Sequence, residues 1–157
     1  MWLLVSPGNP LKPSRGLAPL AERLASARVI ADGRRIVATA IERDLGTVYT
    51  ADTVRALRLR FPRARFVWLM GADNLEQLPR WGRWRDIVRT MPFAVVPRPT
   101  YNHRALAGLA AHRLAGARLA AHKAPALADQ LPPSWVFLPA PQHPASASAI
   151  RAALSGV

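Results

Sequence analysis

Hydrophobic and polar positions along the chain alternate between short continuous apolar runs and longer stretches of helical spacing. Trp2-Leu3-Leu4-Val5 is a continuous apolar run halted by Ser6-Pro7-Gly8-Asn9-Pro10, the pattern of a strand buried on both faces and followed by a loop. Leu17, Leu20, Leu24 and Ala27 then recur at helical spacing, predicting a helix over 17–31 in which Pro19 is tolerable only in the first turn. Ile36 to Ile41 alternates and is β-branched, so it reads as a strand, and Asp44-Leu45-Gly46 turns the chain before Tyr49. Thr50 is placed to cap a helix over 51–61 whose apolar face is Val54, Leu57 and Phe61.

Phe66-Val67-Trp68-Leu69-Met70 is the strongest strand signal, and it runs directly into Gly71-Ala72-Asp73-Asn74. A short helix over 86–91, a strand Phe93 to Val96 and a turn at Arg98-Pro99 follow. From Tyr101 to Pro125 the pattern weakens into Ala, Leu, His and Arg, read as helix, and its Ala-rich part over 105–121 as a soluble helix or a loop. Trp135-Val136-Phe137-Leu138 forms a last strand, and Ser148 to Leu154 a terminal helix. Strand and helix alternate, which predicts an α/β fold with a mostly parallel sheet and helices on both faces.

Length sharpens this picture: 157 residues suit one domain. The absence of cysteine excludes a disulfide framework, a thiolate zinc site and thiolate catalysis, and a cytoplasmic location is expected. No span approaches the ~20 apolar residues of a membrane helix, and Met1 to Val5 lacks the basic flank of a secretory signal. The formal charge of +13 favours anionic partners. Only Lys12 and Lys123 are lysines, however, and the arginines scatter from Arg15 to Arg151 in an Ala- and Pro-rich background, a composition that codon bias also produces. A nucleic-acid module is therefore the least favoured class.

Three segments fall just past strand ends, where an open parallel sheet builds its site: Gly71-Ala72-Asp73, Arg98-Pro99, and Ser146-Ala147-Ser148 leading to Arg151. Each is weak alone. Asp73 has a plainer reading as a helix cap, and Ser146 and Ser148 as caps or as hydroxyls beside the N-H groups of a phosphate-binding helix terminus. Trp81 and Trp84, in W-x-x-W spacing, read as packing on one side of a helix, or Trp81 as a ring that stacks on a flat heterocycle. His103, His112, His122 and His143 show no metal-ligand spacing, and no Walker loop, Rossmann glycine fingerprint or G-x-S-x-G occurs.

Taken together and in order, Ser6-Pro7-Gly8-Asn9-Pro10-Leu11-Lys12-Pro13, Tyr49-Thr50-Ala51-Asp52-Thr53, Val67 to Leu75, Trp81, Arg98-Pro99 and Ser146-Ala147-Ser148-Ala149-Ile150-Arg151 resemble the bacterial nicotinate-nucleotide adenylyltransferases. The match extends over nearly the whole chain. The Ser-x-Ser-x-Ile-Arg motif is shared with the wider nucleotidyltransferase superfamily, whereas Y-T-A-D-T and G-A-D-N-L with a later Trp point to this branch. The resemblance implies a Rossmann-like nucleotidyltransferase fold, forming one domain over 1–157, and transfer of the adenylyl group of ATP to nicotinate mononucleotide with Mg2+, giving deamido-NAD and pyrophosphate. It implies that Tyr49 and Thr50 line the mononucleotide pocket, that Asp73 sits at its sheet edge and that Trp81 stacks on the pyridine ring. Ser146, Ser148 and Arg151 are implied to bind ATP phosphates, with Ser148 in place of the family's usual Thr. Lys12 on the ATP side and Arg98 on the mononucleotide side are implied as further phosphate contacts.

The family's opening strand and its G-G-x-F-x-P-x-H-x-G-H turn have no counterpart among these residues. The resemblance therefore implies that the first strand-helix unit, roughly 25 to 35 residues, is missing, with two strand edges left unpaired. Translation starting upstream of Met1 is the preferred account, and a shortened protein, inactive or completed by a partner strand, is the other. No catalytic residue or metal ligand is identifiable, and weak turnover by this chain is expected. The alternatives are an inactive nucleotide-binding remnant, or a related nucleotidyltransferase with another acceptor. No membrane partner is expected, and homo-oligomer formation is left open.

Overall fold

A computed structural model describes residues 1–8 and 18–142. The chain divides into two compact units, Met1–Ala64 and Arg65–Val157.

In the first unit, β1 (Trp2–Leu4) and β2 (Val37–Thr39) form a parallel pair in which Trp2 lies opposite Val37 and Leu4 opposite Thr39. Helix α1 (Leu20–Ile30) connects them, and of its predicted stripe Ala27 is buried while Leu20 and Leu24 are half-buried. Arg23 on α1 holds the loop after β1: its guanidinium donates to the carbonyls of Ser6 at 2.7 Å and Pro7 at 3.1 Å, and to Ala18 at 2.9 Å. The chain enters β2 through a tight turn in which Asp32 Oδ1 accepts the backbone N-H groups of Arg34, Arg35 and Ile36. Gly33 supplies the left-handed residue there, at φ +68°. Beyond β2 stand α2 (Ile41–Asp44) and α3 (Thr50–Arg60), the latter burying Ala51, Thr53, Val54 and Leu57. The Trp2 ring meets Phe61 edge-on, with centroids 5.4 Å apart. β1 pairs with β2 alone among the described residues, and Trp2, Leu3 and Leu4 are all exposed.

The second unit carries a parallel sheet of β3 (Trp68–Gly71), β4 (Phe93–Val96), β5 (Arg118–Leu119) and β6 (Trp135–Phe137), in the order β3-β4-β6-β5. β4 lies inside it, and its residues are buried on alternate faces: Phe93 and Val95 on one, Ala94 on the other. Phe93 stacks on Trp135 with centroids 5.6 Å apart and planes 6° apart. The Trp135 indole N-H donates to Leu114 O at 2.9 Å, so this fully buried ring leaves no polar atom unpaired. On the other face Ala94, Leu127 and Val136 pack together with Val67, Leu119 and Leu138 against them.

Several expectations are corrected here. The stretch predicted as helix from Tyr101 to Pro125 is broken: α6 (Asn102–Leu106), α7 (Leu109–Arg113) and a 3-10 turn (Ala115–Ala117) lead into β5, and a 3-10 segment (Ala121–Asp129) follows. Gly108 marks the α6–α7 break, where a side chain would press on the carbonyls of Arg104 and Ala105. Trp81 and Trp84 do not share a helix. α4 (Ala72–Gln77) passes into a 3-10 turn (Leu78–Arg80) that ends at Trp81, and α5 (Trp84–Thr90) begins after Arg83, which takes a left-handed conformation at φ +54°. Tyr49, not Thr50, holds the N-cap of α3, with Thr50 as its first helical residue. The terminal helix expected over 148–154 lies outside the described residues.

Candidate active site

Parallel strands bring their carboxyl ends to one edge, and register sets how level those ends are. Gly71 is paired with Val96, and Val95 with Phe137, so the loops leaving β3, β4 and β6 emerge side by side. Two sequence-predicted residues meet there: Arg98 Nε lies 3.7 Å from Asp73 Oδ2. The pair is partly exposed, the Asp73 side chain more buried than that of Arg98, so its worth is directional rather than large.

Asp73 is not a helix cap. Gly71 takes the N-cap of α4, Asp73 falls inside the first turn, and its Oδ1 is buried without a hydrogen-bond partner. Gly71 permits that placement, because a Cβ at 71 would collide with Asp73 Oδ1. The Arg98 loop is tied by Asn102, whose Oδ1 accepts the Arg98 backbone N-H at 2.7 Å and whose amide donates to Gln142 Oε1 at 2.9 Å. Thr100, between them, adopts φ +69°. Asn102 went unmarked in the sequence, where nothing distinguishes it from an ordinary turn asparagine.

Trp81 is half-buried and leans on Trp68 of β3, with ring centroids 5.7 Å apart and planes at 51°. Its backbone N-H closes the preceding 3-10 turn onto Leu78 O at 3.0 Å. Aromatic contact on one side fixes the ring's plane, which is what a stacking surface requires.

Tyr49 and Thr50 belong to the first unit, at the start of α3, with Tyr49 exposed and Thr50 half-buried. The Tyr49 carbonyl accepts the N-H groups of Asp52 at 2.9 Å and Thr53 at 3.0 Å. Behind this turn lies a polar cluster that sequence reasoning overlooked, formed by Glu42, Thr47 and Thr53. Thr53 stood within the Y-T-A-D-T signature, and that was the available signal.

Lys12, Ser146, Ser148 and Arg151 lie outside the described residues, as does His143. His103, His112 and His122 are exposed. Among the described residues no group of three or more His, Asp or Glu could hold a metal ion, and no helix is long and apolar enough to cross a membrane.

Residues 1–153 match the model of the cytidylyltransferase-like family. A probable nicotinate-nucleotide adenylyltransferase of Gluconacetobacter diazotrophicus is 60% identical over 152 residues, covering 97% of this chain and 71% of that protein. The chain belongs to the nicotinate-nucleotide adenylyltransferase family. A probable member from Gluconobacter oxydans is 55% identical over 96% of this chain and 77% of its own length, and one from Parvibaculum lavamentivorans is 51% identical over 96% and 75%. The α/β architecture with parallel sheets accords with the Rossmann-like nucleotidyltransferase fold of this family.

Proposed function

We propose that the chain forms an adenylyl-transfer domain that joins ATP to nicotinate mononucleotide, giving deamido-NAD and pyrophosphate. The observation that carries this reading is identity of 60% and 55% to probable nicotinate-nucleotide adenylyltransferases over 97% and 96% of the chain. The clustering of Asp73 and Arg98 at the carboxyl edge of the sheet supports it. Tyr49 and Thr50 line the mononucleotide pocket, Trp81 stacks on the pyridine ring, and Asp73 and Arg98 border it. Lys12, Ser146, Ser148 and Arg151 take the ATP phosphates.

The chemistry asks little covalent work of the protein. A phosphate oxygen of the mononucleotide attacks the α-phosphorus of ATP, the bond from that phosphorus to the β-phosphate bridge breaks, and pyrophosphate leaves. Positioning and neutralisation of charge on the phosphates suffice. Arg98 supplies positive charge at the sheet edge, and Asp73 holds its Nε. A Mg2+ ion fits the triphosphate better than a protein cage, since among the described residues no acidic cluster could hold it and Asp73 is already beside a guanidinium. When bound, the ion would neutralise phosphate charge.

A coupled assay for deamido-NAD with Mg-ATP, together with tryptophan-fluorescence titration of the mononucleotide, tests this. Quenching by nicotinate mononucleotide that Trp81→Ala abolishes, with any turnover specific to nicotinate over nicotinamide mononucleotide, is the expected result. Failure to bind either mononucleotide while another phosphorylated acceptor is adenylylated would move the chain to a different acceptor. Binding without pyrophosphate release would leave a nucleotide-binding domain.

A further inference from the structure

Glu42 is the second residue of α2 and is only 8% exposed, in a chain whose nine acidic residues have abundant reason to face solvent. Burial of a carboxylate is unfavourable unless something holds it. Its Oε1 accepts a hydrogen bond from Thr53 Oγ1 at 3.1 Å, and its Oε2 is buried with no hydrogen-bond partner. Thr53 is itself 1% exposed, and its hydroxyl lies 2.9 Å from that of Thr47.

Each hydroxyl has one proton, and this decides the direction of the chain. Thr53 donates its proton to Glu42 Oε1, so in the contact between the two hydroxyls it accepts from Thr47. The carbonyl of Glu42 also accepts the Thr47 backbone N-H at 2.9 Å, so the same residue is bound through main chain and side chain. Thr47 enters the loop that delivers Tyr49, after a turn at Gly46 that requires φ +64°. Thr53 lies in the first turn of α3, where its N-H bonds to Tyr49 O. Glu42 thus meets the segment carrying Tyr49 and Thr50 at both ends, its carbonyl at Thr47 and its carboxylate at Thr53, whose hydroxyl in turn contacts that of Thr47.

We infer that Glu42 is a positioning residue for the mononucleotide pocket, setting the place of Tyr49 and Thr50 through Thr53 and Thr47. The inference rests on the reading that Tyr49 and Thr50 line that pocket. It explains why Glu42 and Thr53 are buried here, the buried polar residues among those described, where an apolar side chain would pack without a desolvation penalty.

Equilibrium titrations of the 157-residue chain with nicotinate mononucleotide and, separately, with Mg-ATP test it. Glu42→Ala should weaken mononucleotide binding about tenfold while leaving the Mg-ATP dissociation constant within about twofold. Glu42→Gln, which keeps an acceptor for Thr53, should restore most of the loss. Should Glu42→Ala fail to fold, Thr53→Val, equal in volume and lacking the hydroxyl, reads the same link. Equal weakening of both ligands, or wild-type mononucleotide binding in both Glu42→Ala and Thr53→Val, overturns the inference. Tyr49→Ala and Thr50→Ala separate the two layers. If both bind the mononucleotide normally, the pocket reading falls and this inference with it; if both weaken it while Glu42→Ala and Thr53→Val do not, the positioning role alone falls.

Discussion

The carboxylate of Asp73 occupies the space that a side chain on Gly71 would fill. Gly71 has φ −79° and ψ 160°, extended backbone that any residue adopts, so glycine is needed here for room and not for conformation. The colliding atom is the end of a side chain, which can swing away. Gly71→Ala should therefore cost the fold only about 1 kcal/mol yet expel Asp73 from its place beside Arg98. Urea denaturation and mononucleotide titration on the same variant separate the two effects, and normal binding would show that the Asp73 orientation is unimportant.

Thr100 is β-branched and left-handed at φ +69°, a conformation that disfavours L-residues by roughly 1–2 kcal/mol. Replacing it with glycine removes that strain but loosens the unfolded chain. A net gain of up to about 1 kcal/mol, or about 2–4 °C in melting temperature, is expected for Thr100→Gly. A lower melting temperature for this variant would contradict it.

Asp32 is held below the usual carboxylate range by the backbone N-H of Ile36, then those of Arg34 and Arg35, with the amino terminus adding to the effect. A depressed folded-state value means that the group stabilises the fold above its unfolded pKa of about 3.9, and that this contribution fades as pH falls through the lower folded value. The stability difference between wild type and Asp32→Ala should accordingly shrink as denaturation is repeated from pH 6 down to about pH 3. A difference that stays constant over that range would show that the turn does not depend on the charge.

Trp135 joins the two structural demands of the second unit, a fully buried ring stacked on Phe93 and an N-H bonded to Leu114 O. Trp135→Phe keeps much of the stack but takes the indole N-H away from Leu114 O, which then keeps only the Ala117 N-H at 3.0 Å, and leaves a void beside it. About 2–3 kcal/mol of stability should be lost, and about 3–5 kcal/mol in Trp135→Ala. Denaturant midpoints for the two variants check both the sign and the order.

The strands were legible where they run as unbroken apolar stretches, which burial on both faces explains for Phe93 to Val96 but not for Val67 to Met70, where Leu69 is exposed. β5 was not, because two residues in an alanine-rich background carry no period. Trp81 and Trp84 misled for a related reason: spacing cannot reveal that Arg83 turns left-handed between them. At the site, Asp73 and Arg98 could be placed because strand ends predict loops. Glu42 and Asn102 could not, since each acts through partners 11 and 4 residues away whose proximity only folding creates.

The common register of β3, β4 and β6 carries a consequence for how such a domain changes over generations. Because Gly71 and Val96 end opposite each other and Phe137 opposite Val95, one residue earlier, each loop beyond them can lengthen, shorten or change composition without moving the others' starting points. Acceptor preference is then free to drift through the loops. A slip of two residues in β4 would keep each side chain on its face but carry Arg98 about 7 Å along the sheet, away from Asp73, and move every core side chain of the strand past its packing partners at the same stroke. Selection on the core and selection on the substrate thus converge on a single quantity, the alignment of three neighbouring strands.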